Sequence, residues 1–251
     1  MTDSTAGIPT EFHEAASALG IAFDPGDLER LSRYLELLYE ANQRMNLTAV
    51  RDRDEAWSRH ILDSLSLVPV LASVEPASVI DIGSGGGLPG IPLAIVTPSA
   101  RFVLLEATGK KAAFLQEVVE QLGLDNVRIV SSRAEEAAAH GSAHRGSFDL
   151  VTARAVGPLP VLLELTIPFA RVGGIVAAIK GERAGAEVVA AEAAMMTLRC
   201  EVVDQQRTST GTILLVQKNG STPRAYPRRS GEPKRRPLGC EDTPPRGRDV
   251  H

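Results

Sequence analysis

Five glycines fall within ten residues at positions 81–90, Asp-Ile-Gly-Ser-Gly-Gly-Gly-Leu-Pro-Gly, directly after the apolar run of residues 77–80. An apolar run that enters such a loop and then a helix from about Ile91 reads as a strand-loop-helix unit. Glycine has no Cβ and tolerates positive φ, so the loop can turn sharply and lie within contact distance of a ligand. The spacing is Asp-x-Gly-x-Gly-x-Gly, not the G-x-G-x-x-G order that seats a pyrophosphate on helix amides. A wide loop with an acid at the strand end better suits an uncharged ribose and an amino-acid group. Glu106 closes the next apolar run, residues 102–105, where a carboxylate can accept both hydroxyls of an adenosine ribose.

A glycine-rich turn by itself is often only a tight connection. Its surroundings argue for more. From Ser78 the chain alternates regularly, with strands near 78–82, 101–106, 126–130, 148–153 and 174–180 and helices near 91–97, 109–122, 133–139 and 158–171 between them. Strict alternation implies a parallel sheet with helices on both faces and right-handed crossovers. A helix near 184–197 follows, then runs at 199–206 and 212–218 that are close enough to pair as a hairpin. A hairpin edge on a parallel sheet is the topology of S-adenosylmethionine (SAM) methyltransferases, and the loop with its acid resembles their binding signature. The expected fold is therefore α/β and Rossmann-like, a mostly parallel seven-stranded sheet with an antiparallel edge hairpin.

Ahead of the first strand, helices are expected near 11–19 and from Asp24-Pro25-Gly26-Asp27 to about Gln43, the latter with Leu28, Leu31, Leu35 and Leu38 at helical spacing. Asp52 or Asp54 can cap a third stretch through Arg59, His60 and Leu65, and Thr108 can cap the helix near 109–122. Residues 1–72 are thus expected to form a helical cap appended to a SAM-dependent methyltransferase domain, residues 73–220. Residues 221–251 form a tail rich in Pro, Arg, Lys and Gly, which cannot bury enough apolar surface to fold alone and is expected to be disordered.

The net charge of −4 divides into +4 for that tail and −8 for residues 1–220, so a polyanion would meet local basic patches rather than a basic globule. The tail suits a phosphate backbone or serves only to solubilise the chain. No apolar run approaches the roughly 18 residues of a membrane span, and the first residues lack the basic start and apolar core of a secretory signal. A cytoplasmic protein without a membrane partner is expected. Cys200 and Cys240 lie far apart without metal-ligand spacing, and no second His or Cys stands at ligand spacing from His60, so no metal is expected.

Six stretches occurring in order resemble one family. They are residues 46–52 (Asn-Leu-Thr-Ala-Val-Arg-Asp), 59–64 (Arg-His-Ile-Leu-Asp-Ser), 81–93, 132–136 (Ser-Arg-Ala-Glu-Glu), 152–155 (Thr-Ala-Arg-Ala) and 180–181 (Lys-Gly). The family is RsmG (GidB), the bacterial small-subunit ribosomal RNA guanine-N7 methyltransferases, and the likeness runs from about residue 24 to about 238. It implies SAM as cofactor and 16S ribosomal RNA within the small subunit as partner. It also implies cofactor contacts at Gly83 and Leu88, at Ala134 and Glu135 beside the adenine, and at Arg154 after the fourth strand. Gly85 and Glu106 join that set from the loop geometry. Arg154 is also the candidate catalytic residue, since its guanidinium can equally hold an RNA phosphate or the guanine edge. Asn46, Arg59, His60 and Arg133 are the expected RNA contacts, although His60 can instead pair with Asp63 on a helix surface. Lys110 and Lys111 read as a solvated helix face. The chain is expected to act as a monomer.

Guanine N7 already carries an in-plane lone pair, so no general base is needed. The residues agree. Enzymes that methylate exocyclic amines usually carry Asp/Asn-Pro-Pro-aromatic after the fourth strand, where this chain has Thr152-Ala153-Arg154-Ala155, and neither cysteine is placed as a nucleophile. Two other readings remain open, a SAM-dependent enzyme for a small molecule and an RNA-binding ribosome-assembly factor that uses SAM structurally.

Overall fold

A computed structural model describes residues 7–239. Its centre is a seven-stranded sheet in the order β3-β2-β1-β4-β5-β7-β6. The strands are β1 (Ser78–Ile82), β2 (Arg101–Glu106), β3 (Val127–Ser131), β4 (Phe148–Arg154), β5 (Ala170–Lys180), β6 (Cys200–Arg207) and β7 (Thr212–Lys218). The first five pair in parallel, while β7 runs antiparallel to both β5 and β6. The expected hairpin edge is therefore present. Because side chains alternate along each strand, Val79, Leu104, Leu150 and Ala177 belong to one buried face and Ile80, Leu105, Val151 and Val176 to the other.

The second face is covered by α8 (Ala134–Ala137), α9 (Leu159–Thr166), α10 (Ala184–Ala190) and α11 (Glu192–Leu198). The first is covered by α6 (Gly90–Val96) and α7 (Gly109–Leu122) together with the whole amino-terminal run. That run comprises α1 (Thr10–Ala18), α2 (Asp27–Asn42), α3 (Arg53–Ala56), a π-helical turn (Trp57–Leu62), α4 (Asp63–Leu65) and α5 (Val68–Val74). Leu31, Tyr34, Leu38, Ile61 and Leu65 share one core with Ile91 and Leu115. These helices were expected as an appended cap, but they complete a layer of the sandwich. The stripe at positions 31, 35 and 38 must be buried somewhere, and α2 lays it against α6 and α7.

Local signals shift at several ends. Helix α2 starts at Asp27 after Gly26 in a left-handed conformation without a side-chain cap, and the Asp27 carboxylate accepts the Asp24 amide at 3.0 Å. Asp52 does cap α3, accepting the Glu55 amide at 2.9 Å. Thr108 occupies the N-cap position of α7 without a side-chain hydrogen bond. The helix expected over 158–171 stops at Thr166, two residues before Pro168, which has no amide to continue the ladder. The helix expected over 184–197 is broken at Ala191 into α10 and α11.

The tail is the largest departure. It was expected to be disordered from Ser221, yet through Gly239 it packs on the body and forms a short helix, α12 (Glu232–Arg235), against α9. Glu164 on α9 is fully buried, and Arg228 closes on it with Nε and Nη2 at 2.6–3.1 Å. Arg145 donates to the carbonyls of Thr222, Pro223 and Tyr226 at 2.7–3.2 Å. Composition measured what the segment buries alone, whereas the body supplies a carboxylate and a guanidinium for it to dock on. Residues 240–251, including Cys240, lie outside the described residues. Among the described residues no helix is long and apolar enough to cross a membrane.

Candidate active site

The loop from Gly83 to Gly90 joins β1 to α6 beside β2 and β4, at the carboxyl ends of the strands where the order reverses and open α/β sheets bind ligands. The Gly83 amide donates to the Leu105 carbonyl at 2.8 Å, and the Gly85 amide to Glu106 Oε2 at 2.9 Å. Glu106 Oε1 accepts the Thr108 amide at 2.7 Å, so this one carboxylate braces the loops after both strands. From the helical layer, the buried Tyr34 hydroxyl donates to the Gly86 carbonyl at 2.8 Å.

Two demands meet in the glycines. A Cβ on Gly86 would lie 2.8 Å from Leu38 Cδ1, and one on Gly87 would lie 2.7 Å from Ile91, so the helix layer excludes side chains there. Gly83 and Gly85, at φ of +70° and +59°, are glycine for their left-handed backbone rather than for crowding, and both are reached by solvent and so by a ligand. Beneath the loop Asp81 is fully buried. Its Oδ1 accepts the Thr152 hydroxyl at 2.9 Å, its Oδ2 has no hydrogen-bond partner, and burial pushes its pKa up to about 6. The side chain of Leu88 belongs to the core, so only its backbone borders the loop.

Two cavities meet at the carboxyl end of β4, and the smaller reaches the loop at Gly83. The smaller, about 120 Å³, is lined by Gly83, Leu105, Ala134, Glu135 and Val156, with Arg133 exposed at its rim. Gly231 and Lys234 of the tail also line it, and Glu135 Oε1 accepts the Gly231 amide at 2.8 Å. The larger cleft, about 460 Å³, is lined by Thr48, Arg59, Asp63, Arg154, Lys180 and Thr210 among others. Here Arg154 Nη1 donates to Asp63 Oδ2 at 2.8 Å and to the Arg59 carbonyl at 3.2 Å, while the Thr210 hydroxyl donates to Asp63 Oδ1. Asp63 therefore ties the helical layer to the end of β4 and to the β6–β7 turn. Lys180 Nζ is held by Glu187 and the Gly157 carbonyl, each at 2.7 Å. Ala155, next to Arg154, has φ +56°, a strained left-handed backbone for a residue with a Cβ.

The sequence-predicted residues divide accordingly. Gly83, Ala134, Glu135 and Arg133 meet at the smaller cavity, while Gly85 and Glu106 bond each other but line neither cavity. Arg59 and Arg154 meet in the larger cleft. Asn46 is exposed but lines neither cavity. His60, expected to touch RNA, is instead 5% exposed, with Nε2 2.6 Å from the Thr48 hydroxyl and Nδ1 3.0 Å from the Arg59 carbonyl. The carbonyl requires a proton on Nδ1, which leaves Nε2 to accept from Thr48. Burial, then the Arg154 charge, lowers its pKa below the usual histidine value, so the ring is a neutral clamp on the loop ahead of α3. Its partner is not Asp63, which Arg154 holds.

Asp63, Thr210, Gly231 and Lys234 were missed as site residues. Asp63 stood inside one of the quoted motifs, and Lys180 opened another. For Thr210 and the tail pair no local signal exists. Cys200 is buried on β6 opposite Lys218, at the end of the hairpin remote from Thr210, so its thiol has no route to the cleft. Among the described residues no cluster of three or more His, Cys, Asp or Glu side chains is placed to hold a metal ion.

The donor set fits SAM. Two glycine positions open to a ligand, a carboxylate ends β2, and an apolar slot between Leu105, Ala134 and Val156 has the lining a purine needs. Known proteins match the same architecture. The O-methyltransferase from Bacillus cereus in complex with SAH superposes with a TM-score of 0.55 at 19% identity, over 83% of this chain and 98% of that one. The O-methyltransferase TomG from Streptomyces achromogenes, in complex with SAM, gives 0.54 at 17% identity, over 88% and 100%. At such identities these two speak for the fold alone. The ribosomal RNA small subunit methyltransferase G of Sorangium cellulosum is 43% identical over 222 residues, 88% of this chain and 92% of that protein. Its namesake from Symbiobacterium thermophilum is 41% identical over 237 residues, 90% and 96% of the two chains. The family model described as rRNA small subunit methyltransferase G matches residues 27–214, from α2 in the helical layer into β7 beside the edge strand, and the chain belongs to that family.

Proposed function

We propose that the protein transfers the methyl group of SAM to N7 of a guanine in the 16S ribosomal RNA of the small subunit. The observation that carries this reading is the placement of a purine-sized slot, reached by Gly83 of the glycine loop, beside a larger cleft at the same carboxyl end of β4, in a chain of this family. SAM supplies an electrophilic methyl group on a sulfonium. The protein's own residues do the rest. Gly83, Gly85 and the Leu88 backbone border the cofactor, and Glu106 accepts from the ribose hydroxyls, since each of its oxygens retains a lone pair beyond the amide it holds. Ala134 and Glu135 flank the adenine.

Arg154 has guanidinium donors beyond those of Nη1, which Asp63 and the Arg59 carbonyl take, and these are offered to the guanine or its phosphate. Because N7 presents a lone pair, the site's task is to hold nucleophile and methyl group in line and dry, an effect that alone can be worth about 7–11 kcal/mol. The buried Cys200 and the Thr-Ala-Arg-Ala end of β4 support a ring nitrogen over cytosine carbon or an exocyclic amine. Exposed Arg59 and Arg133 are proposed RNA contacts at the two cavities, and exposed Asn46 one outside them. With −8 charges on residues 1–220, the chain is proposed to need an assembled subunit rather than naked RNA. It is further proposed to act as a cytoplasmic monomer without a metal.

The test is methyl transfer from labelled SAM to intact small subunits beside protein-free ribosomal RNA, with the labelled nucleotide identified by digestion. Label in N7-methylguanosine from subunits is expected. Label in neither substrate, with SAM binding intact, would move the assignment to a small molecule. Cellular function retained by Gly85→Asp, which places a side chain in the cofactor's space, would favour an assembly role.

A further inference from the structure

Resting on the cofactor reading above, we infer that the carboxyl-terminal segment is part of the cofactor site: Gly231 and Lys234 wall the adenosine pocket, and the docking of the segment sets adenosine affinity. The sheet, the glycine loop and α8 supply the inner sides of the smaller cavity, and the segment supplies the outer one. It is tied to the same short helix that carries Ala134. The Gly231 amide donates to Glu135 Oε1 at 2.8 Å, and the Ser230 hydroxyl to Glu136 Oε1 at 3.0 Å. Gly231, at φ +80°, turns the chain into α12 and brings Lys234 to the cavity.

What places the segment is independent of any ligand. Arg228 pairs with the fully buried Glu164, and Arg145 grips the carbonyl groups of Thr222, Pro223 and Tyr226 upstream. The pocket is thus preorganised from outside, which reduces the ordering cost of binding. The chemistry is that of an adenine edge. Glu135, fixed through one oxygen by the Gly231 amide, has its other oxygen to accept from an exocyclic amine, and the Lys234 ammonium offers a donor to ring-nitrogen acceptors. A tail that only held RNA would not need to bond the acid beside the adenine slot.

The experiment is isothermal titration of the full chain with SAM and with 5′-methylthioadenosine, which keeps the adenosine and lacks the amino acid. Two variants are used. Lys234→Ala removes an exposed side chain, and Glu164→Leu with Arg228→Met removes both charges together, so that none is left buried and unpaired. Affinity for both ligands should fall by the same factor, about tenfold in the double variant and about threefold in Lys234→Ala, with an unchanged circular dichroism spectrum. Affinities within about twofold of wild type in both variants overturn the inference, and a loss of methyl transfer in that case assigns the segment to RNA alone. Weaker SAM binding with unchanged methylthioadenosine binding also overturns it, by placing the effect at the methionine end. Should the double variant fail to fold, Lys234→Ala decides. A wild-type chain that binds neither ligand removes the cofactor reading along with the inference.

Discussion

Tyr34→Phe deletes one buried oxygen and tests whether the helical layer holds the cofactor loop. The Tyr34 hydroxyl is 2.8 Å from the Gly86 carbonyl, and the residue is fully buried. The lost atom leaves a void too small for water, so the carbonyl stays unpaired at a cost of about 1–3 kcal/mol. In a domain of this size each kcal/mol lowers Tm by about 2–4 °C, so the melt should move by several degrees. Cofactor binding should weaken as well, because Gly86 lies between Gly85, which Glu106 holds, and Gly87, which abuts Ile91. If half of a 2.8 kcal/mol loss reflects preorganisation of the loop, the Kd for SAM rises about tenfold. Urea denaturation of the apo chain and titration with SAM measure the two effects separately. A stability loss with unchanged Kd would show that the layer packs on the loop without positioning it, and no change in either would refute the reasoning at its root.

Asp81 has a folded pKa of about 6 against 3.8 unfolded, so its contribution to stability is complete below pH 3.8 and is lost as pH rises through about 6. Asp81→Asn should therefore gain stability at pH 8, up to about 3 kcal/mol, and little at pH 4; an equal change at both would exclude ionisation as the cause. Asp63→Asn keeps the shape but removes the charge that holds Arg154, and kcat/KM for methyl transfer should fall about a hundredfold with SAM affinity unchanged. A fall in SAM affinity instead would place Asp63 at the cofactor. Gly211→Ala would press a Cβ onto the Lys180 main-chain carbonyl, shifting Thr210 and costing about 1–3 kcal/mol, whereas Gly185→Ala in α10 meets open space and should stabilise by about 0.5–1 kcal/mol. Thermal unfolding of the pair checks both signs.

Much of the architecture was legible because it is written locally. Strand periodicity in residues 78–82, 101–106 and 212–218, broken by glycine-bearing turns, places those strands to within a residue, and the Asp52 cap needs only its own neighbours. The acid after β2 was legible for the same reason, since a side chain at a strand's carboxyl end in an open sheet has one crevice to enter. Helical phase was harder. His60 and Asp63 stand three apart, the spacing of a surface pair, but the π-helical turn Trp57–Leu62 is wider than an α turn and changes the faces they share. His60 is turned to Thr48 and Asp63 to Arg154.

By itself the amino-acid sequence determined the strand order of events along the chain, the glycine loop, Glu106 and the family motifs, because each rests on residues within one or two turns of one another. Only the tertiary structure decided why Gly86 and Gly87 are glycine, which acid orients Arg154, and that the tail docks on the body and lines the smaller cavity. Those answers depend on groups brought together from distant positions, Leu38 on Gly86, Thr210 on Asp63, Arg228 on Glu164. A buried carboxylate selects its guanidinium by desolvation and distance in space, and neither quantity exists until the chain has folded.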